Sequence, residues 1–203
     1  MDINLYNEIV SKLKIAIDNG DVQAMVDLAD MYFRGPDMNE TNIVKAMPYY
    51  RMAADSGDAV SAGIVGSTLY YAGIDGIERD VQSAVKYTKI AIEGGVTPAL
   101  TVLGEIYEEG RYIEQDYQKA LHYYTLASEQ KDPSGTYKKA ALKYKLDYEF
   151  NDWFTDLLTA YLYGDEEASE MIDDYIESKG EDTYLIIQTE LDKLRAKLGI
   201  TEE

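Results

Sequence analysis

The sequence contains no cysteine. No disulfide and no thiolate metal site can form, so the fold rests on packing alone, and a reducing cytoplasm suits the chain. Proline is scarce, four in 203 residues, which leaves room for long helices. No apolar run approaches the length of a membrane span. The first residues, Met1 to Leu13, carry Asp2 and Glu8 and lack the apolar stretch of a secretory signal. Asn39-Glu40-Thr41 matches a glycosylation acceptor, but without an export signal it reads as chance. Bases are few as well: 19 Lys and Arg against 38 Asp and Glu give a net charge of −19. Such a field repels nucleic acid and anionic lipid and favours a basic partner or plain solubility. These absences predict a cytoplasmic chain that binds neither nucleic acid nor membrane.

What is present is tyrosine and a repeat. There are 19 Tyr against three Phe and one Trp. Tyr packs its ring and leaves its hydroxyl in water, which suits thin folds with much surface. Gly35, Gly73 and Gly110 are spaced by 38 and 37 residues. Eleven residues before each stand Ala24, Ala62 and Ala99, and three before each stand Tyr32, Tyr70 and Tyr107. After them come Ala46, Ala84 and Ala120, then Ala53, Ala91 and Ala127. Asn42, Asp80 and Asp116 precede the second set as natural N-caps.

The unit is therefore two helices. Helix A is predicted over 21–34, 58–72 and 97–109, and helix B over 42–56, 80–93 and 116–130. Small residues at these points let helices approach closely, and the Tyr fills the space between neighbours. Each Gly is expected to end helix A in a left-handed conformation. Lys14-Ile15-Ala16-Ile17-Asp18-Asn19-Gly20 echoes Lys89-Ile90-Ala91-Ile92-Glu93-Gly94-Gly95, so the N-terminal helix reads as a lone B helix. Gly164-Asp165-Glu166-Glu167-Ala168 echoes Gly20-Asp21-Val22-Gln23-Ala24 and predicts a further A helix over 165–178. Segments 134–145 and 152–163 make a degenerate pair. A last helix over 183–198 carries Leu191, Leu194 and Leu198 at helical spacing. Pro48 is expected to kink its helix near Val44.

The expected organisation is one domain, 1–203. It comprises an N-terminal capping helix at 1–20, clear repeats at 21–57, 58–95 and 96–132, a degenerate pair at 133–164 and a C-terminal pair at 165–203.

The third copy carries Ala99, Leu103-Gly104, Tyr107, Gly110, Asp116-Tyr117-Gln118-Lys119-Ala120 and Ala127, and the first carries Ala24, Leu28-Ala29, Tyr32, Gly35, Lys45-Ala46 and Ala53-Ala54. These residues resemble the Sel-one-like repeat (SLR) family, a relative of the tetratricopeptide repeat (TPR). The second copy departs, with Gly66-Ser67 where the family has Leu-Gly. The resemblance implies an all-α fold, a right-handed α–α superhelix or α-solenoid, that acts as an adaptor with its inner face lined by A helices. Carried over position by position, that face presents Gln23, Asp30, Phe33 and Arg34 from the first copy. Thr68 and Tyr71 come from the second, and Thr101, Glu105 and Glu108 from the third. An exposed aromatic beside carboxylates suits a peptide bearing Arg or Lys. Packing against the next helix is the competing role for each residue taken singly.

Residues 147–182 hold thirteen Asp or Glu and a single base, Lys179, just after Lys138, Lys139, Lys143 and Lys145. A solvated face is the commoner meaning of such a run; the functional meaning is a docking surface for a basic protein. Trp153 and Phe154 lie inside this stretch and are more often core than contact. Chemistry finds little footing. The one His, His122, holds the slot of Pro48 and Lys86 in the other copies, and a core slot would not accept Lys. No nucleophile elbow or phosphate loop occurs, since Gly94-Gly95 and Ile74-Asp75-Gly76 read as helix ends and turns. The acidic runs lack calcium-loop spacing. No catalytic residue, cofactor or metal is expected. The reading is a non-enzymatic interaction module that binds a protein or peptide on its A-helix face. The alternative is an acidic immunity or inhibitor protein that neutralises a basic toxin or nuclease through 147–182.

Overall fold

The computed structural model describes residues 2–35, 42–73 and 76–200. The Asn39 acceptor motif and Ile74-Asp75 lie outside them. The described residues form helices and no strand. They fall into two compact units, residues 1–114 and 115–203.

The first unit holds α1 (Ile3–Asp18), α2 (Val22–Arg34), α3 (Ile43–Asp55), α4 (Ala59–Tyr71), α5 (Val81–Glu93) and α6 (Pro98–Glu109). Here α2 packs on α3 and α4 on α5, with α1 against α2 and α6 against α4 and α5. The second unit holds α7 (Tyr117–Glu129), α8 (Pro133–Lys145), α9 (Phe150–Leu162), α10 (Glu166–Lys179) and α11 (Glu181–Leu198). Here α8 packs on α7 and α9, while α9, α10 and α11 pack on one another.

The helix boundaries follow from their caps. Asn42, Asp80 and Asp116 each accept from the backbone N–H three residues on, at 2.9–3.0 Å. Asp21, Asp58, Asp132 and Asp165 do the same for α2, α4, α8 and α10. Each satisfies an amide that the helix itself cannot. The nine alanines of the repeat are all buried. The lone Pro inside a B helix does not interrupt it, since α3 runs from Ile43 through Pro48 to Asp55.

B helices turn into the next A helix through one motif. Gly20, Gly57, Gly95 and Gly164 have φ between 82° and 98°. The N–H after each reaches back to the carbonyl of Ala16, Ala53, Ala91 or Ala160. This is a closure in which a left-handed residue satisfies orphan carbonyls. Lys131 occupies the same turn with φ 60°, a conformation a side chain resists. At the other end of helix A the expectation holds for Gly110 (φ 60°, ψ 17°), while Gly35 has positive φ with an extended ψ of 172°. It fails at Gly73. There α4 ends at Tyr71, and Ala72 leads the chain away in extended backbone (φ −51°, ψ 133°) that any residue can adopt.

The departure of the second copy from the pattern has a packing cause. In the first and third copies the A helix carries Leu28 and Leu103 and the B helix carries Tyr50 and Tyr124, all buried. The matching positions in the second copy are Gly66 and Thr88. A β-carbon on Gly66 would lie 2.6 Å from Thr88 Oγ1 and 3.0 Å from its backbone nitrogen. Two small residues thus replace two large ones, and α4 lies against α5 almost backbone to backbone.

Candidate functional site

The repeat period puts the expected partner-binding residues in rows. Five residues before the repeat glycine stand Asp30, Thr68 and Glu105; two before it stand Phe33, Tyr71 and Glu108. Residues three apart share one face of a helix, so each A helix offers one member of each row side by side.

Two of these residues meet directly. Tyr71 on α4, 55% exposed, donates its hydroxyl to the Glu105 carboxylate on α6. Beside it Tyr70 donates to Glu109 Oε2 at 3.0 Å. Glu109 also takes Arg111 at 3.0 Å and Arg79 at 3.8 Å. The Arg79 guanidinium lies 5.4 Å from the Tyr70 ring centre and 6.0 Å from that of Tyr112. Burial, then the hydrogen bond to a carboxylate, pushes both Tyr70 and Tyr71 well above the usual phenol range. The face in this unit is therefore a set of aromatic rings clamped by carboxylates.

The other expected residues are placed as follows. Asp30 accepts from the buried Tyr50 hydroxyl at 2.6 Å, so one of its oxygens is bound to α3. Burial and that bond raise Tyr50 in the same way. Gln23 is exposed and donates to Asp27 at 2.9 Å. Phe33, Thr68 and Glu108 are half-buried, and Arg34 is exposed. Thr101 is 6% exposed, a core position of α6 rather than a presented one. Its neighbours Leu100, Val102 and Leu103 are buried too, so α6 is apolar around much of its circumference there, which three-residue spacing alone does not reveal. Sequence reasoning missed Glu109, Arg79 and Arg111. The available signal was Glu109 in the slot of Arg34, a charge reversal between copies.

In the second unit Trp153 and Phe154 are core, each 7% exposed. Phe150, 43% exposed, stacks on Phe154 with centroids 4.7 Å apart and meets Trp153 edge-on at 5.2 Å. Tyr144 lies 4.9 Å from Trp153, and Tyr175 5.3 Å from Phe154. The basic residues ahead of the acidic run are partly spent inside the fold. Lys139 and Lys143 both bind Asp156, at 2.9 and 2.6 Å, with all three side chains largely covered. On α10, Glu166, Glu167, Glu170, Asp173, Asp174 and Glu177 are exposed. Among the described residues no Lys or Arg forms an ion pair with them. His122 is exposed with its ring against Tyr123. Among the described residues no group of His, Asp or Glu could hold a metal, and no helix is long and apolar enough to cross a membrane.

The Sel1 repeat family model matches residues 22–58, 63–96 and 97–132, just over half of the chain. The chain belongs to the Sel1 repeat family. Its three family repeats coincide with the α2/α3 and α4/α5 pairs and with the α6–α7 segment. A Sel1 repeat protein from Oxalobacter formigenes superposes with a TM-score of 0.68 at 23% identity, covering 78% of this chain and 63% of that one. A protective antigen of uropathogenic Escherichia coli, displaying an SLR fold, gives 0.76 at 23% identity, covering 96% of this chain and 41% of that one. An immunity protein from Pseudomonas aeruginosa gives 0.54 at 19% identity, covering 94% and 74%. These likenesses establish the fold, an all-α SLR solenoid class, and nothing finer. The Sel1 chain spans less than two thirds of the first two structures. No curated protein matches it.

Proposed function

We propose that this Sel1 repeat chain is a non-enzymatic, cytoplasmic interaction module, an adaptor or regulatory scaffold, in which residues 1–203 form one domain. Its partner is a protein or peptide held on the A-helix face of the first unit. The observation that carries this reading is Tyr71, more than half exposed yet fixed by Glu105 of the next A helix. A ring that is presented and already immobilised loses little entropy on binding. Flanked by Glu105 and Glu109, it suits an Arg or Lys side chain laid across it. The test is co-purification of partners from source cells with the tagged chain, followed by Phe33→Ala and Tyr71→Ala. The expected result is loss of the partner with helicity unchanged. Retention of the partner by both variants would remove the A-helix face from consideration.

A second reading is favoured by α10, which exposes six carboxylates, Glu166, Glu167, Glu170, Asp173, Asp174 and Glu177. In it the acidic region 147–182 docks a basic protein, as an immunity or inhibitor protein neutralising a basic toxin or nuclease would. The immunity protein among the structural neighbours shares the fold and lends the idea no more than that. Association through such a surface is fast and salt-sensitive. Capture at low salt and release at high salt supports this reading; capture indifferent to salt removes it.

A further inference from the structure

The last two helices of the second unit, α10 and α11, are held to it by few anchors. On α10 only Ala168 and Ile172 are buried, and among the described residues of α11 only Ile187 and Leu191. The preceding α9 buries Trp153, Phe154, Leu157, Leu158 and Ala160 in one helix. Met171, Tyr175, Ile176 and Leu194 add partly buried contact. Ion pairs do not supply the rest. Those of Asp156 join α8 to α9, while Lys193–Glu190 and Arg195–Asp192 lie within α11.

The charges of α10 work against the helix itself. Residues three or four apart face each other along a helix, and like charges at that spacing destabilise it. The exposed carboxylates make six such pairs: Glu166 and Glu167 with Glu170, Glu170 with Asp173 and Asp174, and Asp173 and Asp174 with Glu177. Lys179 is the one base on the helix. Glu166 and Glu167 gain from the positive N-terminal end, but Asp173, Asp174 and Glu177 lie toward the carbonyl end and do not. Glycines bound the helix. Gly164 (φ 91°) and Gly180 (φ 95°) stand at its two ends, and nothing lies within 4 Å of where a β-carbon on either would sit. Backbone rotation there disturbs no packed neighbour.

We infer that α10 and α11 form a charge-loaded latch that opens as one unit about Gly164, uncovers the aromatic face of α9, and is held shut more firmly as electrolyte is added. The face it covers is specific. Phe154, 7% exposed, lies 5.3 Å from the Tyr175 ring, and Trp153 shares a hollow with Met171 and Tyr175 of α10. A segment with few buried apolar contacts opens at a lower free energy than the unit it belongs to. Repulsion along α10 lowers that free energy further, and screening restores it. The latch belongs to the free chain and stands apart from both partner readings.

The test is amide hydrogen exchange of the full chain, read by mass spectrometry at about 0.05 and about 0.5 M salt. Peptides from α10 and α11 should exchange together, roughly tenfold or more faster than those from α8 and α9. High salt should slow them about threefold relative to α8 and α9. Every one of the six like-charge pairs includes Glu170 or Glu177, so Glu170→Gln with Glu177→Gln removes all six and keeps four of the six carboxylates. Both side chains are exposed, so the variant is expected to fold as the parent does. It should slow exchange in α10 and α11 roughly tenfold and flatten their response to salt. Exchange in α10 and α11 no faster than in α8 and α9 would overturn the opening. Unequal rates in α10 and α11 would overturn the single unit. Fast exchange indifferent to salt and to the double substitution would overturn the role of charge.

Discussion

Gly63 and Gly66 lie one turn apart on α4 and should respond in opposite directions to the same substitution. In a helix interior Gly→Ala gains about 1 kcal/mol, because alanine loses less backbone entropy on folding. At Gly63 the added β-carbon would meet Val96 Cγ1 at 3.3 Å, a contact that a shift of a few tenths of an ångström by the valine relieves, and Ala91 Cβ at 3.6 Å, an ordinary van der Waals contact. Gly63→Ala is therefore expected to be neutral or stabilising by up to about 1 kcal/mol. At Gly66 the same atom would meet Thr88 Oγ1 at 2.6 Å, the Thr88 backbone nitrogen at 3.0 Å and the Ala84 carbonyl at 3.3 Å. Two of those three belong to the α5 backbone, so α4 and α5 must separate. Overpacking costs about 1–3 kcal/mol, and the need to move backbone puts this case at about 2–3 kcal/mol. Setting that against the propensity gain leaves Gly66→Ala less stable by about 1–2 kcal/mol, which lowers the melting temperature by about 3–6 °C. Thr88→Ala on top of it should recover part of the loss, by removing the hydroxyl but not the nitrogen. Circular dichroism melts of the three variants decide the matter. A Gly66→Ala protein that melts higher than the parent would show that propensity governs there and that the close approach of α4 to α5 does not.

Alkali should loosen the first unit. Tyr50, Tyr70 and Tyr71 titrate above the unfolded value of about 10, so the native state holds their protons more tightly than the unfolded chain does. Their contribution is complete below about pH 10 and is lost as pH rises toward the folded values; Tyr50→Phe should flatten that decline in alkaline melts. Lys131→Gly should raise the melting temperature by about 2–4 °C, since it relieves a left-handed lysine in a turn where four sister turns have glycine; an unchanged melt refutes the strain. Gly110→Val should cost about 1 kcal/mol or more and Gly73→Val less than about 0.5, because only Gly110 has positive φ; equal losses in denaturant unfolding would contradict it. Asp156→Ala strands Lys139 and Lys143 in a partly covered position and should cost about 2 kcal/mol, with part regained by Lys143→Met; an indifferent Asp156→Ala means the pair was solvated.

The repeat was legible because its physics is local and periodic. An alanine that must touch another helix and an aspartate that must cap one recur at fixed distances, so α2 to α11 each start within two residues of their expected positions. Exceptions arose where two distant positions changed together. Gly66 looks like a defect in one helix and makes sense only beside Thr88 on the next. Thr101 has the spacing of a presented residue, but the apolar girth of α6 buries it. An apolar groove lined by α9, α10 and α11 in the second unit was hidden for a related reason. Trp153 and Phe154 read correctly as core, while Phe150, four residues from Phe154, and Ile186, far along the chain, form a wall only once α9 and α11 are side by side.

The phenol-to-carboxylate contacts of the first unit have one more consequence. Asp30, Asp55, Glu105 and Glu109 each accept from a tyrosine hydroxyl: Tyr50, Tyr87, Tyr71 and Tyr70. A phenol orders a carboxylate without cancelling its charge; Asp55 and Glu109 are shared with bases as well, the first with Lys86 and the second with Arg111 and Arg79. Adding electrolyte dims the distant field of these anions while scarcely touching a neutral donor's grip on them. The phenols thus fix these side chains whether or not a base stands beside them, so their order answers to alkali and the field they cast outward answers to ionic strength.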